Sequence, residues 1–344
     1  MPEGGLSYRD SGVDIDAAHR AMGGISGLLR ATRTPDTLSD LGSFGGLYRV
    51  PRGVRDPVLV ASTDGVGTKL KLAFLTGRHD TVGEDLVNHC VNDILVQGAR
   101  PLFFLDYVGM GHLEPTVVED LVAGMARGCR ENGCALLGGE TAEMPDFYAP
   151  GEYDLAGFLV GYVDEARVLG RDRVRKGDAL VALASSGLHT NGYSLARRIV
   201  LERMALSPDD AFPDEQGTVA DVLLRVHRSY LGSVLPLVER DLVHGLAHIT
   251  GGGLLDNIPR VLPEGLAARI DRASWTVPPL FRVLQREGGV EESEMFRAFN
   301  MGVGMVAIVG SDDADRVVSD LRGAGEQAWV VGEIVSGDRN AILS

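Results

Sequence analysis

Apolar residues in the first half of this chain recur at helical or strand spacing, separated by turns that are rich in glycine and charge. Apolar positions every three or four residues predict helices, and short uninterrupted apolar runs predict strands. We therefore expect helices at 14–32, 80–97 and 114–132. We expect strands at 44–50, 57–62, 102–108, 135–138 and 154–163.

The second half repeats this alternation after a charged, apolar-poor segment at 163–176. The sequence KGDALVALASS, at 176–186, predicts a strand that opens a new structural unit,. Further helices are expected near 192–204, 217–228 and 229–240, with a glycine-rich turn at 251–253 and strands near 267–271, 302–309 and 328–334. The chain is therefore predicted to form two domains, 1–170 and 171–344, of α/β or α+β class; the pattern alone does not separate these classes,.

Length and composition describe a globular protein that is large enough for two cores. The chain has 344 residues, of which 44% are hydrophobic and 24% are charged,. No apolar run approaches the roughly 18–20 residues of a membrane helix, and the opening MPEGGLSYRDSGVDID lacks the features of a secretory signal,. The three cysteines, at positions 90, 129 and 134, match no zinc-ribbon spacing,. We therefore expect a cytoplasmic protein with reduced thiols and no membrane partner.

The charge balance limits the kinds of ligand. A net charge of −15 argues against nucleic acid as the main partner,. A protein this acidic that binds phosphates must build the anion site locally, from metal ions, backbone N–H groups and a few basic side chains. Carboxylates beside glycines are therefore candidate metal ligands, although most of the 48 acidic residues belong to a solvated surface.

The segment LVASTDGVGTKLKLA, at 59–73, is the first candidate site. Asp64 follows an apolar run, and the four residues Gly-Val-Gly-Thr lead to Lys69. A carboxylate at a strand end beside exposed backbone N–H groups suits a metal–phosphate site, and Lys69 would add a mobile cation. The alternative is a hairpin or turn whose glycines only permit unusual backbone angles.

The segment VNDILVQGARP, at 91–101, supplies a second carboxylate. Helical spacing places Asn88, Asn92 and Asp93 near one another. A carboxylate at the edge of an apolar helix is costly unless it is paired or bound to a cation. Together with Asp64, Asp93 would form a Mg²⁺ site. The alternative is a capped helix with a solvent-facing aspartate.

The segment ALLGGETAEMPDFY, at 135–148, repeats the combination of strand, glycine and acid. Gly138 and Gly139 would end the strand and let the backbone approach a ligand closely. Glu140 and Thr141 follow at once. Three such sites in one chain favour a shared metal–nucleotide site, whereas each alone could be a strand-terminating turn.

Two further segments, SSGLHTNGYS (185–194) and HITGGGLLDNIP (248–259), combine histidine with polar and glycine residues. Each leads into a predicted helix, whose N–H groups favour an anion. The 251–253 glycines could grip a phosphate, and His189 and His248 could transfer protons. A ligand-free turn and structural histidines are the alternatives. Gly302 and Gly304, in FNMGVGM, predict a bulge or a close backbone approach,.

These segments, taken in order from SYRDSGVDID to FNMGVGM, resemble the phosphoribosylformylglycinamidine cyclo-ligase family, also called the aminoimidazole ribonucleotide (AIR) synthetases. The resemblance covers nearly the whole chain, and it includes the wider D-x₄-G-A-x-P pattern of ATP-using relatives from Asp93 to Pro101. It implies a homodimer whose N-terminal sheets form a central β-barrel, flanked by C-terminal α/β domains, with the active site in a groove between the domains. It also implies the conversion of formylglycinamidine ribonucleotide and ATP to AIR, ADP and phosphate.

The resemblance also implies roles for the residues named above. Mg²⁺ would be bound by Asp64, Asp93 and, as a further ligand, Glu140. ATP phosphates would be held by Lys69, Gly138, Gly139, Glu140 and Thr141. Gly251, Gly252 and Gly253 would grip a phosphate, in preference the ribose 5′-phosphate of the substrate. Thr190 and Asn191 would contact substrate or nucleotide, and His189 or His248 would assist proton transfer.

Sister enzymes on the same scaffold leave different marks. Selenophosphate synthetases carry Cys or selenocysteine near the N-terminus, and hydrogenase-maturation members carry a C-terminal Cys; here the first Cys is Cys90 and the chain ends in Ser344. Thiamine-phosphate kinases are not expected to share GGETAEMPDFY or HITGGGLLDNIPRVLP. A non-catalytic nucleotide-binding module would be expected to lack Asp64, Lys69 or Asp93, and all three are present.

Overall fold

The computed structural model describes residues 14–40 and 42–344. The described chain divides into two compact units. The first contains the residues up to Gly53 together with 61–90 and 101–160, and the second contains 54–60, 91–100 and 161–344.

The first unit is built on a four-stranded sheet of order β1-β4-β2-β3, in which β2 and β3 run parallel. Its strands are β1 (Pro57–Gly65), β2 (Arg100–Met110), β3 (Ala135–Glu143) and β4 (Tyr153–Asp164). Its helices are α1 (Ile15–Ala31), α2 (Leu70–Thr76), α3 (Asp80–Leu95) and α4 (Pro115–Glu131). Parts of these elements fall within the second unit, namely 57–60 of β1, residue 100 of β2, 161–164 of β4 and 91–95 of α3.

Local sequence explains where these helices form. Asp14 caps α1, since its side chain accepts hydrogen bonds from the backbone N–H groups of Asp16 and Ala17,. Helix α4 begins with Pro115, which suits a first helical position,. Apolar residues on α4 recur at helical spacing and are buried: Val118, Leu121, Val122, Met125 and Cys129,.

The second unit is built on a six-stranded sheet of order β10-β7-β9-β5-β8-β6. Its strands are β5 (Ala179–Ala184), β6 (Gly245–His248), β7 (Leu266–Ile270), β8 (Val303–Val309), β9 (Ala328–Ser336) and β10 (Ala341–Leu343). Its helices are α5 (Tyr193–Arg197), α6 (Val219–Leu223), α7 (Leu231–Glu239), α8 (Gly253–Asn257), α9 (Pro279–Gly288), α10 (Glu292–Ala298) and α11 (Ala314–Gly323). A π-helical stretch, Arg198–Arg203, continues α5.

Strand direction brings several loops of the second unit to one edge of its sheet. β5 runs antiparallel to both β8 and β9, and β6 runs antiparallel to β8. The carboxyl ends of β5 and β6 therefore lie at the same edge as the beginnings of β8 and β9. The predicted segments 185–194 and 249–253 follow β5 and β6, so both begin at this edge.

The mixed α/β class is confirmed, and most of the predicted elements are present. The strand predicted at 44–50 is wrong. That segment contains Gly45 and Gly46, which favour irregular backbone, and only one bridge, Thr37 to Tyr48, links it to a neighbouring segment. The helix predicted at 217–228 shortens to five residues.

The domain boundary near residue 170 stays a prediction. No helix among the described residues is long and apolar enough to cross a membrane.

Candidate functional site

Three buried histidines meet in the second unit. His189 lies in the loop after β5, His248 ends β6, and His227 precedes α7. The His227 and His248 Nε2 atoms are 3.0 Å apart. The rings of His189 and His227 stack, with centroids 4.0 Å apart and planes 18° from parallel. We call these residues the histidine cluster; two of its members were predicted from the sequence.

Asn92 and Asp93, in the last turn of α3, make hydrogen bonds to this cluster and to the segment that carries His227. Asp93 Oδ1 is 2.9 Å from His248 Nδ1. Asn92 donates a hydrogen bond to the carbonyl of Arg228 at 2.8 Å and accepts one from the backbone N–H of Tyr230 at 3.0 Å. Adjacent side chains of one helix therefore fix the segment that carries His227 and orient the ring of His248.

The hydrogen bonds form a chain from Thr190 through His227 and His248 to Asp93. Thr190 Oγ1 lies 3.3 Å from His227 Nδ1. With both imidazoles neutral, Thr190 can donate to His227, His227 to His248, and His248 to the carboxylate. With His248 protonated at both nitrogens, the direction between the two rings reverses, and Asp93 stabilises the resulting cation. The chain can therefore accept a proton without losing a hydrogen bond.

His189 is held in an unusual conformation beside this chain. Its φ of 61° lies in the left-handed region, which is uncommon for residues other than glycine,. Its Nε2 accepts a hydrogen bond from the backbone N–H of Ser186 at 3.2 Å. A Cβ on Gly304 would lie 2.5 Å from the His189 ring and 2.0 Å from the Tyr230 hydroxyl. The glycine in FNMGVGM is therefore a close backbone approach, as one reading of the sequence predicted.

The predicted phosphate loop, Gly251–Gly253, is pinned by Asn257. The Asn257 amide donates to the carbonyls of Gly253 at 2.9 Å and Gly251 at 3.2 Å. Gly252 and Gly253 have φ values of 92° and 61°, and a Cβ on Gly253 would lie 2.0 Å from the carbonyl oxygen of Phe296. These glycines thus have a packing reason to be present, in addition to any ligand.

The side chain of Asn191, in the predicted segment 185–194, lies close to Gly251 in the predicted phosphate loop. Its Oδ1 lies 3.4 Å from the position of a Cβ on Gly251. Its Nδ2 is buried and has no hydrogen-bond partner within the described part of the chain. An unpaired buried donor is costly, and an anion oxygen would satisfy it. Residues Thr190, Asn191 and 251–253, predicted separately, therefore lie next to one another.

In the first unit, Lys69 is not the mobile cation that the sequence predicted. Its ammonium forms a 2.7 Å ion pair with Asp85, and both side chains are 0% exposed. Burial lowers the pKa of Lys69, while the charge of Asp85 opposes this shift,. Asp64 lies at the end of β1, as the sequence predicted, and its Oδ2 is 2.9 Å from His89 Nε2.

Gly138, Gly139, Glu140 and Thr141 do not form the predicted turn. They lie inside β3 and pair with residues 105–108 of β2, after a register shift. A Cβ on Gly139 would lie 2.2 Å from the Asp106 carboxylate. This glycine therefore makes room for Asp106, whose pKa is raised to about 7 by burial and, to a lesser extent, by the charge of Glu140,.

The predicted site residues thus fall into two groups, one in each unit. His189, Thr190, Asn191, His248, Asp93 and the 251–253 loop lie together in the second unit. Asp64, Lys69 and Glu140 belong to the first unit, and the Mg²⁺ site stays a prediction. His227 and Asp106 were not predicted, because His227 has no glycine beside it and Asp106 lies within an apolar run that reads as a buried strand.

Two family models match the chain, one in each half. Residues 46–163 match the model described as AIR synthase related protein, N-terminal domain. Residues 175–343 match the corresponding C-terminal domain. Together the two matches span most of the chain.

Curated relatives are similar along nearly their whole length. A phosphoribosylformylglycinamidine cyclo-ligase of Trichlorobacter lovleyi is 52% identical over 335 residues, covering 97% of this chain and 96% of the relative. One of Sorangium cellulosum is 55% identical over 333 residues, covering 96% of each.

Solved structures of more distant proteins share the fold. Thiamine-monophosphate kinase from Stenotrophomonas maltophilia superposes with a TM-score of 0.70 at 20% identity, covering 93% of this chain and 96% of the kinase. Hydrogenase maturation protein HypE, in a complex with ATP, has a TM-score of 0.69 at 21% identity, covering 97% of this chain and 93% of HypE. At this identity the likeness establishes the fold alone.

Proposed function

This chain belongs to the phosphoribosylformylglycinamidine cyclo-ligase family, and we infer that it closes the imidazole ring of AIR in purine biosynthesis. The reaction consumes formylglycinamidine ribonucleotide and ATP and releases ADP and phosphate. The observation that carries this inference is identity above 50% with such ligases over nearly their full length. The continuous resemblance of the motifs quoted above supports it.

Ring closure needs a nitrogen to attack an amide carbon whose oxygen is a poor leaving group. Transfer of the γ-phosphoryl group to that oxygen makes phosphate the leaving group, and catalysis of such a transfer is mostly positioning and charge neutralisation. In the second step a C–N bond forms, the C–O bond to the phosphorylated oxygen breaks, and the nitrogen loses a proton. An acceptor for that proton is therefore required.

We propose that the histidine cluster accepts this proton, through His189 or His248. The supporting observation is the chain from Thr190 to Asp93, which can take up a proton and keep every hydrogen bond. The Asp93 carboxylate would stabilise the cation formed on His248. His227 lies between Thr190 and His248 in this chain, so we assign it a positioning role.

We further propose that the loop 251–253, with Thr190 and Asn191, binds a phosphate, in preference the ribose 5′-phosphate of the substrate. The buried, unpartnered Asn191 amide supports this, because an anion oxygen would complete its hydrogen bonding,. Holding a remote phosphate would orient the reacting nitrogen and carbon.

ATP binding with Mg²⁺ at Asp64, Asp93 and Glu140 is likewise a proposal. Carboxylate oxygens are the donors that Mg²⁺ prefers, and ligating carboxylates are commonly hydrogen-bonded by a second group. Asp64 and Asp93 each have an imidazole within 2.9 Å. Bound Mg²⁺ would neutralise the charge on the transferring phosphoryl group.

A direct contact of Lys69 with ATP would require its ammonium to leave Asp85. Gly138, Gly139 and Thr141 could contact a nucleotide only through the exposed or half-buried surface of β3. We keep both contacts as parts of the proposal that the first unit binds ATP. A catalytic role of Lys69 depends on the same movement.

We propose a cytoplasmic homodimer in which the sheets of two first units pair into a barrel. The supporting observation is apolar surface on β1, the edge strand of the four-stranded sheet. Val58 and Leu59 are exposed there, and Phe158 is exposed on the adjacent β4. Exposed apolar edge strands are typically covered by a partner.

A coupled assay of ADP release, run beside colorimetric detection of the aminoimidazole product, tests the function. With formylglycinamidine ribonucleotide, ATP and Mg²⁺ we expect one aminoimidazole for each ADP, and loss of both signals when a chelator removes the metal. ADP release without aminoimidazole would identify a sister kinase or synthetase. Tight ATP binding without turnover would identify a non-catalytic module.

A further inference from the structure

A cavity of about 520 Å³ opens in the second unit, at the same sheet edge as the histidine cluster. It is lined by the end of β5 at Ala184 and the beginning of β9 at Ala328, whereas His248 lies at the end of β6, two strands away from β5. Its volume lies in the range of small-molecule sites. No residue of the proposed catalytic chain lines it.

Both tryptophans of the chain line this cavity. The ring centroids of Trp275 and Trp329 are 6.5 Å apart, and their planes differ by 31°. The Trp275 indole N–H donates to the carbonyl of Met301 at 3.1 Å, which fixes that ring. The Trp329 N–H is buried and has no acceptor among the residues that the structure describes. The cavity is thus lined by two indole side chains, which suit a planar heteroaromatic ring,.

One side of the cavity carries an uncompensated cation. Arg322 lies at the rim, and its Nε donates to the carbonyl of Ala328 at 2.9 Å. Within 14–40 and 42–344, no ion pair is formed by Arg322. The acidic residue of the lining, Glu326, is paired with Arg228 at 2.8 Å and accepts a hydrogen bond from Ser233 at 2.8 Å. The guanidinium is therefore the group that would meet an anion.

We propose that this cavity is a second ligand site, which binds a small molecule that combines a planar heteroaromatic ring with a phosphate. The ring would lie against the indoles, and the phosphate would pair with Arg322. Base–aromatic stacking and a charge-assisted contact are the two interactions that such a ligand needs. This site goes beyond the proposed reaction, and its occupation requires no turnover.

Intrinsic fluorescence reads this cavity directly, because the chain has no other tryptophan. We would titrate the full chain with AMP and follow the emission. The proposal expects saturable quenching, with binding weakened about tenfold or more in Arg322→Gln. Arg316→Gln is the matched control, since Arg316 is an exposed arginine on the same helix that does not line the cavity. It should bind AMP like the wild type.

Two further measurements separate this site from the catalytic one. Trp329→Ala removes one indole from the lining, so AMP binding, seen through Trp275, should weaken. Asn191→Ala alters the proposed substrate-phosphate site and no residue of the cavity lining, so it should leave the quenching by AMP unchanged. Absence of saturable quenching, equal binding by the two arginine variants, or loss of the quenching in Asn191→Ala would each overturn the proposal.

Discussion

Residues of similar appearance in the sequence have opposite surroundings in the two units. In the first unit, the protein itself accounts for both Lys69 and Gly139. Lys69 is paired with Asp85, and Gly139 leaves room for the carboxylate of Asp106. In the second unit, Asn191 has a buried amide that lacks a partner among the described residues. There, His248 also lies in a hydrogen-bonded chain that can take up a proton.

The difference shows that a glycine or a charge in a motif has at least two possible causes. A lysine next to glycines can bind a phosphate or balance a buried carboxylate, and a glycine pair can admit a ligand or a neighbouring side chain. Burial and partners decide between these roles. Three substitutions test whether burial and partners set the role of each residue.

The largest effect is expected from Lys69→Met. Removing one partner of a buried ion pair leaves an uncompensated charge, so the free energy of unfolding should fall by about 3–5 kcal/mol. Urea unfolding measures this loss. The double variant Lys69→Met, Asp85→Leu should recover most of it, because no buried charge then remains.

The matched control is Lys71→Met. Lys71 pairs with Glu152, but these side chains are 42% and 35% exposed. Its loss should cost less than about 1 kcal/mol. Equal costs for the two lysine variants would contradict a structural role for Lys69 and favour the mobile phosphate ligand.

A middle-sized effect is expected from Gly139→Ala. The added Cβ would lie 2.2 Å from the Asp106 carboxylate and 2.8 Å from the Asp106 carbonyl oxygen, so β2 must shift. Such overpacking costs about 1–3 kcal/mol. Gly138→Ala is the control, because its Cβ would meet only Leu105 at 3.8 Å. If Gly139→Ala is as stable as Gly138→Ala but weakens ATP binding, Gly139 serves the nucleotide instead.

The smallest effect in free energy is expected from His227→Leu. Without the imidazole, His248 loses the partner of its Nε2, so kcat should fall about tenfold while KM changes little. His227→Gln, which restores a polar atom, should regain part of kcat. Steady-state assays of ADP release provide both constants.

His244→Leu is the control for the cluster. His244 precedes β6, at the opposite end of the strand from His248, and its Nδ1 is 2.8 Å from Asp178. This change removes a histidine–aspartate pair outside the cluster, so kcat should stay within about twofold of the wild type. An equal loss of kcat in both leucine variants would show that His227 acts only through stability.

Periodicity predicted much of the fold because burial repeats with the period of each element. Helix α4, expected at 114–132, is observed at Pro115–Glu131, and the apolar run of β5 is a fully buried central strand. The short strand β6 and the edge strand β10 were not predicted, since four and three residues carry too little periodic signal,.

The family, the mixed α/β class and most candidate residues could be predicted from the sequence alone, because glycines, carboxylates and histidines are recognisable in local context. Which of them lie together depends on the tertiary structure. His227 lies beside His248 for two reasons. The pairing of β6 with β8 positions His248, and the hydrogen bond from Asn92 to the carbonyl of Arg228 holds the segment that carries His227. Lys69 is buried because the fold places its ammonium against Asp85. Burial and pairing of this kind depend on residues far apart in the chain, and no local pattern records them.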